Sequence, residues 1–235
     1  MMLDGFIGIR RPARGLTPRV GEDGPMQAVP YPLPKRLTDK VVSGALIVLL
    51  LPVFAAIWLA TALDMLFSRR DRGSWFYRER RVSRKGAFDL LKFRTLREDA
   101  LREMRAHDGW ARQYEADPGN LTWAGRHLLK PWYLDELPQL FNVLLGDMSL
   151  VGPRPWPVSA VAQQMKQGHD YRTHAQAGLT GPSQVAKGGP ETGPALDLRY
   201  LEACRRWSSW HLVRYDLGLL LESIRVVLRR EGLRN

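Results

Sequence analysis

Two adjacent carboxylates, Asp135 and Glu136, and an arginine held between two prolines, Pro153-Arg154-Pro155, are the residues best suited to chemistry here. The acid pair opens a run in which Leu134, Leu137, Leu140, Phe141 and Leu144 recur at helical spacing and Gly146 sits where a helix stops. Pro138 is tolerated only in a first helical turn, where its missing N–H has no intrahelical partner to lose. The acid pair therefore stands at or just before a helix N-terminus, where free N–H groups and the macrodipole favour an anion. One reading is an N-cap Asp with a first-turn Glu. The other is a functional pair beside the rigid cation Arg154. A carboxylate can attack phosphorus and form an acyl phosphate, which splits one difficult step into two. Lys92 and Arg94 flank Phe93 and so share one face of a strand. Alone they make a solvated face. Beside phosphate chemistry they make a diphosphate clamp, arginine through its bidentate fork.

Positioning such groups takes a hairpin and several helices. Aromatic and apolar residues flank the basic turn Arg84-Lys85-Gly86, which predicts a β-hairpin over residues 74–95. Residues 96–115 read as one charged helix ended by Asp117-Pro118-Gly119, and residues 158–168 as an amphipathic helix. Residues 196–228 read as helical, with Leu217, Leu220, Leu221, Ile224 and Leu228 as a stripe expected to face the core. Trp207 and Trp210 beside arginines leave interfacial contact open for that helix. The stretch 178–194 is rich in Gly and Pro and suits close backbone approach to a ligand or a mobile loop. The sum is an α+β chain, mainly helical with a small β-hairpin.

Residues 41–63 carry no charge and are long enough to span a bilayer. Pro52 lies near their middle, where a helix loses a hydrogen bond and kinks. Lys35, Arg36 and Lys40 precede the stretch and Arg69, Arg70 and Arg72 follow it. Basic flanks stay cytoplasmic, so both ends favour one side. A membrane-embedded re-entrant helix that breaks at Pro52 satisfies both constraints; an ordinary transmembrane anchor is the alternative. Three segments result: an N-terminal arm expected to be disordered (1–34), the membrane segment with its basic flanks (35–72) and a cytoplasmic catalytic domain (73–235). The arm does not read as a signal peptide, because Arg10, Arg11 and Arg14 precede no apolar core of their own.

The chain has 235 residues and a formal charge of +11, which calls for an anionic partner. A single cysteine, Cys204, excludes an internal disulfide and a Cys-based zinc site, and the five histidines lack metal-ligand spacing. No helix-turn-helix or RNA-binding signature accompanies the charge. A membrane-tethered nucleic-acid-binding protein or a scaffold explains the charge and the apolar stretch, but leaves the acid pair and Pro153-Arg154-Pro155 without a purpose.

The stretch LDELPQLFNVLLGDMSLVGPRP resembles the signature of the bacterial sugar transferases, the monotopic phosphoglycosyl transferases. The apolar stretch around Pro52, Lys92-Phe93-Arg94-Thr95-Leu96 and Gly178-Leu179-Thr180-Gly181 with Gln184-Val185 agree with it in order, from about residue 36 to about 228. The resemblance implies transfer of a sugar-1-phosphate from a nucleotide-diphosphate sugar, most often UDP-linked, to a polyprenyl phosphate. It implies Asp135 as nucleophile, Glu136 with Asp135 as holders of Mg²⁺, and Arg154, then Lys92 and Arg94, as phosphate-binding residues. It implies a re-entrant helix at Pro52 and a place on the cytoplasmic face of the bacterial inner membrane, among membrane lipids, with no role for nucleic acid. Leu51 stands where the family usually has Ser, and Lys130-Pro131-Trp132-Tyr133 replaces the smaller polar residues usual before LDELP, which implies a bulkier pocket.

Overall fold

The computed structural model describes residues 28–107, 109–186 and 193–228. Most of the expected arm, residues 1–27, lies outside the described residues. Its last part is packed down: Val29 is buried and its N–H donates to the His174 carbonyl at 2.9 Å. Tyr31 donates its hydroxyl to Asp39 at 2.6 Å.

As expected, the chain is mainly helical with a small antiparallel hairpin. Helices α1 (Leu33–Leu49) and α2 (Leu51–Phe67) meet at Leu50 with a bend of 57°. Pro52 is the cause. It sits in the first turn of α2, donates nothing to the ladder, and crowds the carbonyl four residues earlier. Among the described residues no single helix is long and apolar enough to cross a membrane; the bent pair has that length and composition only when taken together. Polarity on α1 is inverted, with Lys35, Asp39 and Ser43 buried at helical spacing and Leu37, Val41, Val48 and Leu49 exposed. On α2, Thr61 and Asp64 are buried while Leu59, Leu66 and Phe67 are exposed.

Strand β1 (Phe76–Ser83) pairs antiparallel with β2 (Gly86–Phe93) across the turn Arg84-Lys85. The charged segment that follows is two helices instead of one, α3 (Glu98–Ala106) and α4 (Ala111–Glu115). Gly109 makes the break, closing back through its N–H on the Met104 carbonyl at 2.9 Å. Helix α5 (Gln139–Leu145) ends at Gly146, whose φ of 86° is the left-handed conformation that favours glycine at a helix end. Asn142 ties α5 to the hairpin, accepting from the Leu91 N–H at 2.9 Å and donating to the Asp89 carbonyl at 2.9 Å.

Strand β3 (Ser149–Val151) then pairs in parallel with β4 (Gly178–Thr180). The crossover between them contains α6 (Val158–Lys166) and α7 (Tyr171–His174). The backbones at the end of this pair approach so closely that a Cβ on Gly178 would collide with the main chain of Gly152. Helices α8 (Pro182–Val185), α9 (Gly193–Arg206) and α10 (Ser209–Leu228) complete the described chain. Phe88, Leu90, Leu140, Met148, Leu150, Leu201 and Leu212 form the centre of the main core.

The stripe on α10 is a correction to the sequence reading. Of the five, Leu220 packs against the core as expected, but Leu217, Leu221, Ile224 and Leu228 are exposed, and Leu212, Val213, Asp216 and Leu219 face inward instead. A buried ion pair fixes this rotation: the Lys35 ammonium of α1 donates to Asp216, which also accepts from the Tyr200 hydroxyl at 2.9 Å. Turning the leucine stripe inward would break that pair and leave a buried ammonium alone, a loss of about 3–5 kcal/mol for a broken buried pair.

Candidate active site

The acid pair is delivered by tightly wound chain. A π-helical turn (Gly125–Leu129) leads into two 3-10 turns, Lys130–Trp132 and Leu134–Glu136. Tyr133 joins the two 3-10 turns at φ 54°, the one non-glycine positive φ among the described residues. This reversal folds Lys130 back on Asp135, with Nζ 3.3 Å from Oδ2. Neither carboxylate caps α5. Its N-cap is Pro138, without a side-chain cap bond, so the acid pair stands in the turn just before the helix and is left for other work.

Asp135 is almost fully buried, and its Oδ1 has no hydrogen-bond partner. An unpartnered buried carboxylate oxygen is costly unless something else is meant to bind it. Burial pushes the Asp135 carboxyl up to about 6, with Lys130 opposing the rise and Glu136 adding to it. Glu136 goes the other way. Burial works against its charge, but Arg154 and Lys92 outweigh that and hold it at about 2. Glu136 Oε1 lies 2.8 Å from Arg154 Nη2 and 3.6 Å from Lys92 Nζ. The environment thus separates the two acids into a firmly ionised, occupied Glu136 and a more basic Asp135 with an open oxygen.

Of the cations picked from the sequence, the fold brings Arg154 and Lys92 to the acid pair and not Arg94. The Arg154 side chain is 44 % exposed, so an incoming anion can reach it from solvent. Lys92 is buried beside it, and both line a cleft with Gln139, Pro155 and Leu179. Arg94 is buried and donates to the carbonyls of Ser74 at 2.6 Å, Leu96 at 2.9 Å and Asp71. Its charged neighbours are Glu98, Asp71 and Asp64. It holds together the chain that follows α2.

Two residues of the cluster went unrecognised in the sequence. Lys130 bridges Asp135 and Glu115, reaching Glu115 Oε2 at 2.8 Å. Glu115, at the end of α4, also accepts from Thr95 Oγ1 at 2.8 Å. Only the short spacing from Lys130 to Asp135 hinted at this; nothing local marks Glu115. Pro52 is not in the cluster, but the helix it starts lies directly under it. Ile57 of α2 is buried with Phe93 and Leu129, and Phe54, Leu134 and Leu137 pack against them.

Among the described residues no group of three or more His, Cys, Asp or Glu side chains is set to hold a metal. The donor set does suit a Mg²⁺ shared with a ligand, since that ion takes one or two carboxylates together with substrate phosphates. Asp135 has a carboxylate oxygen without a partner, and Glu136 adjoins it with its Oε1 held by Arg154 and Lys92; these are the two carboxylates in reach of such an ion.

Residues 31–230 match the family described as bacterial sugar transferase. The chain is 36 % identical to an undecaprenyl-phosphate galactose phosphotransferase of Salmonella typhimurium, over 84 % of this chain and 41 % of that protein. It is 35 % identical to a UDP-glucose:undecaprenyl-phosphate glucose-1-phosphate transferase of Caulobacter vibrioides, over 92 % of this chain and 77 % of that protein. It is 30 % identical to the exopolysaccharide production protein ExoY of Sinorhizobium fredii, over 84 % of this chain and 87 % of that protein. It therefore spans about two fifths of the length of the Salmonella relative and most of the other two.

Proposed function

The chain belongs to the bacterial sugar transferase family, and from that premise we propose that it moves a sugar-1-phosphate from a nucleotide-diphosphate sugar to a polyprenyl phosphate. The observation that carries the reading is the open Oδ1 of Asp135, buried next to Lys130 and Glu136, with Arg154 and Lys92 against Glu136 Oε1. Asp135 attacks the β-phosphorus of the donor, taken to be UDP-linked. The bond from that phosphorus to the bridging oxygen breaks, and the nucleoside monophosphate leaves with the bridging oxygen. An oxygen of the polyprenyl phosphate then attacks the same phosphorus, giving a polyprenyl diphosphate sugar and restoring the Asp135 carboxylate. Lys130 pairs with the attacking carboxylate through Oδ2, and Glu115 holds Lys130 in place. Arg154 and Lys92 meet the negative charge of the diphosphate. Asp135 and Glu136 would hold Mg²⁺, whose contribution is neutralisation of the diphosphate.

The inverted polarity of α1 and α2 supports placement in a membrane, with apolar side chains outward and polar ones inward. In this reading the bent pair enters and leaves the cytoplasmic face of the bacterial inner membrane. α2 packs against the turn that carries Asp135, which supports a reading in which a lipid phosphate and a soluble nucleotide sugar meet at headgroup depth. The same step opens the synthesis of an exopolysaccharide or another glycoconjugate.

Two measurements test this. Membranes containing the protein are incubated with undecaprenyl phosphate and a panel of labelled nucleotide sugars. One donor is expected to release its nucleoside monophosphate and label the lipid; no release from any donor would overturn the reaction. For topology, Cys204→Ser is combined with Ala28→Cys or Arg69→Cys, at exposed positions flanking the bent pair. A membrane-impermeant thiol reagent is expected to label neither site in intact cells and both in inverted vesicles. One site labelled from each side would mean an ordinary transmembrane helix.

A further inference from the structure

Arg154 sits on a segment that can do little to hold itself. Pro153 and Pro155 have no N–H, so the turn is anchored through its carbonyls. The Pro153 carbonyl accepts from Gly178 N at 2.9 Å and the Trp156 carbonyl from Val82 N at 3.1 Å. The two carbonyls between these are taken by guanidinium groups: Pro155 by Arg81 at 3.2 Å, and Arg154 by Arg172 at 2.8 Å. We infer that Arg172 is a positioning residue for the transfer reaction, fixing the main chain of Arg154 so that its guanidinium stands ready at the acid pair. The inference rests on the function proposed above and adds a residue that acts from behind the site.

Arg172 is built for that task. Only 6 % of it is exposed, and each nitrogen of its fork has a separate acceptor. Nη1 donates to the Arg154 carbonyl, Nη2 to Asp197 Oδ2 at 3.3 Å and Nε to Gln164 Oε1 at 3.1 Å. The guanidinium carbon lies 4.5 Å from the centre of the Trp156 ring, two residues beyond Arg154. Such a planar group, fixed on three sides, transmits the position of α6 and α9 to one peptide of the turn. A lysine can keep the charge pairing with Asp197, but a point charge cannot also reproduce the three fixed directions.

The test is a double-mutant cycle between Arg172→Lys and Arg154→Ala, read in the steady state with the donor found by the panel. Arg172→Lys alone is expected to lower kcat by about 10- to 100-fold, the cost of a small misplacement of a charge at the reacting group. In the Arg154→Ala background it is expected to add little, because the group it positions is gone. A full, additive loss in that background would make Arg172 merely structural. A second readout needs no turnover. Site-resolved modification by phenylglyoxal is expected to be several-fold faster at Arg154 in Arg172→Lys than in the wild type, and an unchanged rate would overturn the inference. If no nucleotide sugar turns over in the wild type, the proposed reaction fails while the phenylglyoxal comparison still decides the positioning. If Arg172→Lys does not fold, Gln164→Leu, which removes only the Nε acceptor on a half-buried position, carries the same readouts with a smaller effect in the same direction.

Discussion

Asp135→Asn should lower the release of nucleoside monophosphate by about 10⁴- to 10⁶-fold, the loss usual for a covalent nucleophile. The substitution keeps the shape of the side chain and removes the charge. The proposed attack needs the carboxylate charge, and an amide oxygen does not attack phosphorus at a useful rate. The fold is expected to survive or gain, because the buried charge is a burden in the resting protein and Lys130 keeps Glu115 as its partner. Thermal unfolding of the purified variant at or above the wild-type temperature, with turnover at background, is therefore the expected pair of results. Substantial turnover by a folded Asp135→Asn would remove it from the chemistry and leave Glu136, which the structure shows already bound by Arg154 and Lys92.

Arg154→Lys should cost about 10²- to 10³-fold in kcat, comparable to the loss of one preorganised donor at a developing charge. The flanking prolines and the anchored carbonyls fix the main chain, so the guanidinium reaches Glu136 and the cleft from a rigid base. Lysine keeps the charge but not the fork that can meet two phosphate oxygens together. It also frees Glu136 from its 2.8 Å partner, so its carboxyl should rise from about 2. Activity equal to wild type in Arg154→Lys would reduce the residue to general electrostatics. Steady-state rates at saturating donor separate the two cases, since loss of uniform binding alone would raise KM and leave kcat in place.

Much of this was legible because the signals are local. Pro138 and Gly146 bracket α5, the turn Arg84-Lys85 closes the hairpin, and Pro52 bends the α1–α2 pair next to itself. Each follows from the backbone chemistry of one or two residues. What stayed hidden depends on distant partners. Lys92 and Arg94 share a strand face by spacing, yet Lys92 meets Glu136 whereas Arg94 is drawn into the carbonyls of Asp71, Ser74 and Leu96. Alternation gives a face but not what covers it. The leucine stripe of α10 has a helical period, but Asp216 and its ion pair with Lys35 set the rotation. Lys130 joins the site through a π-helical turn and a left-handed Tyr133, neither of which periodicity reveals, and Glu115 joins it from α4 by pairing with Lys130. Arg172 lies outside every motif singled out from the sequence. Its importance is visible only where its fork meets the Arg154 carbonyl.

The covalent step is the centre of the account, and intact-protein mass spectrometry reads it directly. The purified protein is mixed with the donor and Mg²⁺ in the absence of polyprenyl phosphate, quenched, and its mass and peptides recorded. The expected result is one added phospho-sugar, mapped to the peptide containing Asp135, absent in Asp135→Asn and discharged when polyprenyl phosphate is supplied. An unmodified wild-type protein that nonetheless passes sugar-1-phosphate to the lipid in a parallel sample, or an adduct that persists in Asp135→Asn, would contradict it.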